Sequence, residues 1–461
     1  MMIGRIAFLL FLICSLGCAE PFSERIIESS IPLENNSNRE WRSGWLSAPE
    51  NRSNPTSYAI EIPFILTKAD SSIRVSDIPV LIMSGGPGNA SLHMANGTIY
   101  SPWGKTRDLL VMDQRGTTRC KPSLACPEID SMRIKGMKDG FGQNSLDSLK
   151  LVAVEKCYNR LTASGVDLNG YHTLESVEDI EALRKLLEID QLILYGMSYS
   201  CNLMAAYAQK YPQHTKALIL DSPLPHQANY DEDAFYSTDN ILKNLIQYYT
   251  DSEELYEGWT QYIISIQDSL FSVSIDGIIY PYDKNHVIDL VLDKMGSHGT
   301  LNEVVPTIQK VITGNHEGIE DIIGYGLGKT SQAKGMRYSV WVSEELPEQK
   351  KTSQESQEAK YPWLKDYPVN DITFEMAAIW KVNSLYDNHE WPETPYDGPT
   401  LILSGQFDPW TPPRYGRLMK YYTPNAEQII YPEHTHLPGF SEPGMTDISD
   451  FLNTLSEGQS F

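Results

Sequence analysis

Positive charge is scarce in this chain: 37 Lys and Arg stand against 60 Asp and Glu, a formal net charge of −23 over 461 residues. Phosphate backbones are held by clustered Lys and Arg, so the sequence offers no electrostatic footprint for nucleic acid. The acidic residues are spread along the chain rather than gathered in a tail, which reads as a solvated surface. Cysteine is scarce as well, with 6 in all and no C-x-x-C spacing that would point to zinc. Beyond the N-terminus no segment is long and apolar enough to cross a membrane. Internal repeats and low-complexity tracts are missing too, which sets aside solenoids and disordered chains. What remains is 41% hydrophobic and suits one large globular unit or two lobes.

The long apolar run stands at the start. Arg5 precedes Ile6-Ala7-Phe8-Leu9-Leu10-Phe11-Leu12-Ile13, and small residues follow at Ser15 and Gly17. This is the pattern of an export signal, too short for a mature span, and it is read over residues 1–19. Ser15-Leu16-Gly17-Cys18 resembles a bacterial lipobox, which makes Cys18 the expected lipid anchor and a membrane surface the expected place of attachment. The protein is expected to be exported, either periplasmic or lipid-anchored, otherwise secreted. Oxidation is allowed in such compartments. Of the later cysteines, Cys120, Cys126, Cys157 and Cys201, the expected pair is Cys126 with Cys157.

Short apolar runs ending in turn residues recur along the chain. Tyr58–Leu66 alternates like a strand, and Val80-Leu81-Ile82-Met83 runs into Ser84-Gly85-Gly86-Pro87-Gly88. Leu109-Leu110-Val111-Met112 ends in Asp113-Gln114-Arg115-Gly116. A region of mixed polarity follows, then a helix with Val177, Ile180, Leu183 and Leu186 on one face. Next, Leu192-Ile193-Leu194-Tyr195 leads through Gly196-Met197-Ser198-Tyr199-Ser200 into a small-residue helical segment. Strand, sharp turn and helix around a glycine-flanked serine form a nucleophile elbow, with Ser200 where G-x-S-x-G has its second glycine. Ala217–Asp221 is the following strand. From about 224 to 395 the alternation stops; Asn240–Leu245 and Tyr256–Leu270 read as amphipathic helices and Glu344–Lys360 as a polar loop. Strands resume at Thr400–Leu403 and Gln428–Tyr431.

A serine hydroxyl becomes a nucleophile only when a base removes its proton, and the imidazole needs a carboxylate to fix its tautomer. Past Leu403 comes Ser404-Gly405-Gln406-Phe407-Asp408, and past Tyr431 comes Pro432-Glu433-His434-Thr435-His436. Ser198, Asp408 and His436 thus stand in the order nucleophile, acid, base, each just beyond a strand. His436 is preferred to His434 because the ring needs a loop turn to reach back; Asp221 is the reserve acid. The glycines after Met83 would let an amide face a developing oxyanion. No cofactor and no metal is needed. The fold class expected is α/β: a mostly parallel sheet flanked by helices, the α/β-hydrolase fold. Its core would comprise residues 20–223 and 397–461, with a large, mainly helical cap inserted at 224–396.

With these residues in view, the chain resembles the proline iminopeptidase and tripeptidyl aminopeptidase family of α/β-hydrolase serine peptidases. Pro49-Glu50-Asn51-Arg52, Gly85-Gly86-Pro87-Gly88, Asp113-Gln114-Arg115-Gly116, the elbow, Gly405–Pro412 and the histidine loop carry the resemblance over nearly the whole mature chain. It implies a peptide substrate cleaved from a free N-terminus, with the amides of Gly86 and Tyr199 as oxyanion hole. The segment Tyr338–Glu345 looks like a family cap segment, and the resemblance makes Glu344 the anchor for the substrate amine. Three departures stand out: Ser84 where many members have His, Ser200 in the elbow, and Val342 where tripeptidyl members often have Cys. Two other readings share the scaffold. A carboxylesterase would use the same triad with a carboxylate-free apolar pocket, and a non-catalytic binding protein would not require all three triad residues.

Overall fold

The computed structural model describes residues 22–32, 39–346, 351–370, 372–385, 391–392 and 394–456; the expected export signal and Cys18 lie outside them. The strands in chain order are β1 Arg25–Glu28, β2 Trp41–Pro49, β3 Ala59–Thr67, β4 Ser76–Met83, β5 Arg107–Met112 and β6 Leu192–Met197. After these come β7 Thr215–Asp221, β8 Phe271–Ile275, β9 Ile278–Tyr282, β10 Thr400–Gly405 and β11 Ala426–Tyr431. Nine of them form one sheet in the order β1-β2-β3-β5-β4-β6-β7-β10-β11. The pairs from β1 to β5 are antiparallel, and every pair from β5 through β11 is parallel.

The central strands read as unbroken apolar runs because both their faces are covered. Leu81, Leu110, Leu194, Leu218 and Ile402 point to one side, where the helices Thr173–Leu186 and Tyr199–Lys210 supply Ile180, Leu183, Met204 and Tyr207. Their neighbours Ile82, Val111, Ile193, Ile219 and Leu403 point to the other, against Trp103 and, from the helix Glu442–Ser456, Ile448 and Leu452. A strand's period of two places alternate residues in separate cores. Parallel order also gathers the C-terminal ends of β4, β6, β7, β10 and β11 along one edge, where ligands of open α/β sheets bind.

Between β7 and β10 lies the expected insertion. It holds the helices Tyr230–Thr250, Glu254–Ser265, Lys284–Met295, Val304–Val311, Ile319–Gly326, Lys334–Glu344, Lys351–Lys360 and Phe374–Ile379. It also holds a hairpin of β8 and β9. The stretch expected to be a loop at 344–360 is mostly the helix Lys351–Lys360, and this corrects the sequence reading. Its Gln, Glu, Ala and Lys content favours helix without an apolar stripe, and it lies alongside Tyr230–Thr250, with the Lys360 ammonium over the Tyr236 ring. The helix expected to reach Leu270 ends at Ser265, and the chain turns there into β8.

The region of mixed polarity after β5 is a pair of helices, Pro127–Lys138 and Gln143–Ala163, cross-linked by the expected Cys126–Cys157 disulfide. Their buried Ile129 and Val154 cluster with Met336, Trp341, Met376 and Trp380 of the insertion. This pair therefore packs with the cap, although it precedes residue 224 in the chain.

Candidate active site

Ser198 sits between β6 and the helix Tyr199–Lys210 with φ 53° and ψ −121°, a backbone region that a residue with a side chain enters only under restraint. Its surroundings supply that restraint. A Cβ on Gly196 would lie 2.7 Å from the Ser200 carbonyl oxygen and 2.8 Å from the Cys201 Cα, so only glycine fits the turn. Ser198 N–H donates to the Asp221 carbonyl at 2.9 Å. The unusual Ser200 is not merely tolerated. Its hydroxyl accepts from Met197 N–H at 2.7 Å and donates to the Met83 carbonyl at 2.7 Å, tying the elbow to the end of β4.

The glycine loop after β4 lies directly against this turn. A Cβ on Gly85 would stand 2.9 Å from Ser198 Cβ and 3.2 Å from Tyr199 N. Gly86 has φ +116°, which favours glycine. Among the described residues, neither Gly86 N–H nor Tyr199 N–H donates to a protein acceptor. Asp113-Gln114-Arg115 braces the loop from behind. Asp113 Oδ1 accepts from the amides of Ser91 and Leu92, and Gln114 Nε2 donates to the Ser84 carbonyl at 2.6 Å. Arg115, fully buried, pairs both nitrogens of its fork with Asp179 at 2.7 Å and donates to the carbonyls of Glu50 and Gly170. Arg52 joins the same carboxylate at 2.9 Å, so two of the motifs, Pro49–Arg52 and Asp113–Gly116, meet on Asp179 in one charge network.

Beyond β10, Asp408 is buried and receives four donors. Trp410 N–H and Thr411 N–H reach Oδ1 at 3.0 Å, while the Thr411 hydroxyl and His436 Nδ1 reach Oδ2 at 2.6 and 2.8 Å. Burial pushes the Asp408 carboxyl up, but the charge and hydrogen bond of His436 and the Thr411 bonds outweigh it, so its value falls below the ordinary one. Burial likewise pulls the His436 imidazole down, and Asp408, with Asp221 behind it, carries it above its usual value. An ionised Asp408 holds the proton on Nδ1 and leaves Nε2 as the free acceptor. His434 instead places Nδ1 2.7 Å from the Pro432 carbonyl.

The reserve acid Asp221 does not bond the imidazole. Gly439 N–H donates to both its oxygens at 3.3 and 3.2 Å, and Tyr195 O–H donates at 3.1 Å. Burial pushes this carboxyl up to about 7. Ser222 next to it accepts Leu437 N–H at 2.9 Å, so the tip of β7 fastens both the elbow and the histidine loop.

Glu344, expected on a cap loop, is a fully buried residue at the end of the helix Lys334–Glu344. Thr173 N–H and the Thr173 hydroxyl each donate to it at 2.6 Å, and that hydroxyl lies 2.5 Å from the Tyr199 phenol. Burial pushes its carboxyl up to about 7, and that of the adjacent buried Glu345 well above the ordinary value. The sequence reading missed Thr173 and Thr411; only the three-residue spacing of Thr411 from Asp408 hints at its role. It missed Arg337 as well, whose guanidinium donates to the Gly86 carbonyl at 2.7 Å and ties the cap to the glycine loop. Among the described residues, no cluster of three or more His, Cys, Asp or Glu is placed to hold a metal ion.

Comparisons with known proteins agree with this architecture. Residues 78–245 match the family model of the alpha/beta hydrolase fold. The chain is 26% identical over 160 residues to the serine protease Hip1 of Mycobacterium tuberculosis, covering 32% of this chain and 30% of that protein. It is 25% identical over 143 residues to a proline iminopeptidase of Neisseria meningitidis, covering 31% and 32%. With a tripeptidyl aminopeptidase of Streptomyces lividans it shares 24% over 169 residues, covering 33% and 31%. These matches span about a third of each relative's length. A thermophilic esterase structure from Thermogutta terrifontis aligns over 91% of this chain and 100% of that one, with 15% identity and a TM-score of 0.39. The sheet order, the elbow and the match over residues 78–245 give the chain the α/β-hydrolase fold, and its sequence is similar to peptidases of the proline iminopeptidase and tripeptidyl aminopeptidase type.

Proposed function

We propose that this hydrolase is an exported serine aminopeptidase that releases proline or short peptides from free N-termini. The observation that carries the reading is the convergence of strand ends: Ser198 in its strained elbow after β6, and the Asp408–His436 pair at 2.8 Å after β10 and β11. Ser198 Oγ attacks the scissile carbonyl carbon while His436 Nε2 takes its proton. The oxyanion is received by the amides of Gly86 and Tyr199. His436 then gives the proton to the leaving amine, and the acyl-enzyme is hydrolysed by a water that His436 activates in turn. Glu344, with Glu345 beside it, anchors the substrate ammonium next to Tyr199; burial favours the neutral carboxyl in the free protein, and the arriving ammonium draws it into the charged form. Cys18 holds the mature chain to the membrane by its lipid; replacing Cys18 by Ala should move the protein from the membrane to the soluble fraction.

The test compares proline and alanine anilides having a free amine with their N-acetylated forms and with a short-chain aryl ester. Cleavage of the free-amine substrates alone, lost in a folded Ser198→Ala variant, is the expected result. Equal cleavage of blocked substrates, or of the ester alone, would overturn the aminopeptidase reading in favour of an esterase. A folded Ser198→Ala enzyme with full activity would remove Ser198 from the mechanism.

A further inference from the structure

Three residues of the insertion, Met295, Gly296 and His298, press on the loops that carry Asp408 and His436. Met295 ends the helix Lys284–Met295, and its carbonyl accepts the Thr435 hydroxyl. Gly296 lies beneath Trp410: a Cβ there would come 2.5 Å from the indole Cη2, and the same indole meets the His436 ring edge-on with centroids 5.2 Å apart. His298 then reaches the backbone on both sides of His436. Its Nδ1 accepts Thr435 N–H at 3.1 Å, and its Nε2 lies 3.3 Å from the Leu437 carbonyl oxygen. An amide N–H only donates and a carbonyl only accepts, so Nδ1 is bare and Nε2 carries the hydrogen. The contacts fix one neutral tautomer. Leu437 itself has φ +61°, a left-handed turn that needs such fastening.

We infer that His298 is a positioning residue for His436: by accepting Thr435 N–H and donating to the Leu437 carbonyl, it holds the backbone on either side of the base. The inference rests on the reading of His436 as the base. It makes the insertion a part of the catalytic frame as well as a cover. It also brings a pH consequence, because protonating His298 Nδ1 abolishes the acceptor for Thr435 N–H. The groups facing the ring are His434, with its centroid at 5.0 Å, Asp408 and His436. Burial, assisted by the two neighbouring imidazoles, keeps His298 below the ordinary imidazole value despite the Leu437 bond and Asp408.

The experiment uses the full chain with His298 replaced by Phe, Asn and Gln. It reads anilide kinetics, an ester control, and the rate at which a fluorophosphonate labels Ser198. Asn keeps an acceptor where Nδ1 stood, Gln keeps a donor where Nε2 stood, and Phe keeps neither. Phe should lower kcat and the labelling rate by about tenfold or more with KM changed by less than about twofold, and Asn and Gln should fall between. In the wild type the acid limb of log kcat against pH should steepen from one proton to two as His298 charges after His436. In the Gln variant it should stay at one. Unchanged kcat in the Phe variant, a loss confined to KM, or identical acid limbs would overturn the inference. If Phe does not fold, Asn, Gln and the two acid limbs still decide. A wild type that neither cleaves nor labels at Ser198 sinks the hydrolytic reading instead, whereas an active wild type matched by its variants sinks this inference alone.

Discussion

Ser200 occupies the place where the elbow motif has its second glycine, and its two 2.7 Å hydrogen bonds explain why a serine persists there. Replacing it by Gly would leave Met197 N–H and the Met83 carbonyl without this partner in a dry setting. The expected cost is about 1–3 kcal/mol, read by denaturant titration, with kcat much less affected because Ser198 keeps its own bonds. A similar logic applies to Asp408. Asn in its place would turn a donor toward His436 Nδ1 and invert the tautomer, so kcat should fall about 10³–10⁴-fold with little loss of fold. Ser198, Asp408 and His436, the residues proposed as a triad, could be singled out because each follows an apolar strand in chain order. Thr173 was not, since its bonds to Glu344 and Tyr199 join residues far apart in the chain.

Among the elements, the glycine loop depends on its neighbours more than on itself. Gln114 holds the Ser84 carbonyl, Asp113 holds the amides of Ser91 and Leu92, and Arg337 holds the Gly86 carbonyl. Gln114→Leu should therefore lower kcat by about tenfold while leaving KM nearly unchanged, a split that kinetics on one anilide would reveal. An equal effect on KM alone would place Gln114 in substrate binding. The parallel strands were readable as apolar runs, and the break in alternation after β7 marked the insertion. β2 was not readable: Gly44 sits mid-strand only because a Cβ would come 2.6 Å from the Ile27 carbonyl oxygen of β1. The hairpin β8–β9 was hidden for another reason, being short and flanked by helices. The helices Pro127–Lys138 and Gln143–Ala163 gave no clean stripe because their buried residues face two partners, the cap and each other.

For the whole molecule, buried titratable groups pull the pH dependence in opposite directions. Asp221 and Glu344 are both held by burial at about 7, so each binds a proton more readily folded than unfolded. Their contribution to stability is complete below the ordinary carboxylate range and is lost as pH rises toward about 7. His436, raised as well, adds stability that is present below the ordinary imidazole value and lost above its own. His172 and His226, pulled by burial down to about 3 and about 4, work the other way as pH rises, so the sign is read by difference: Asp221→Asn should make the change in melting temperature from about pH 5 to about pH 8 less negative than in the wild type. A more negative change in the variant would show that the Asp221 charge is stabilising. Reducing Cys126–Cys157, which closes a 31-residue separation, should cost about 3–4 kcal/mol, felt first in the helices that lean on the cap.

The sheet order has a consequence in time. β7 pairs with β10, aligning Leu218 with Thr400, yet the entire insertion is synthesised between them. During translation the elbow emerges while its acid and base are still unmade. Until β10 and β11 dock beside β7, the nascent chain carries an elbow serine without the proposed proton acceptor, so the proposed activity cannot begin before the last strands are in place.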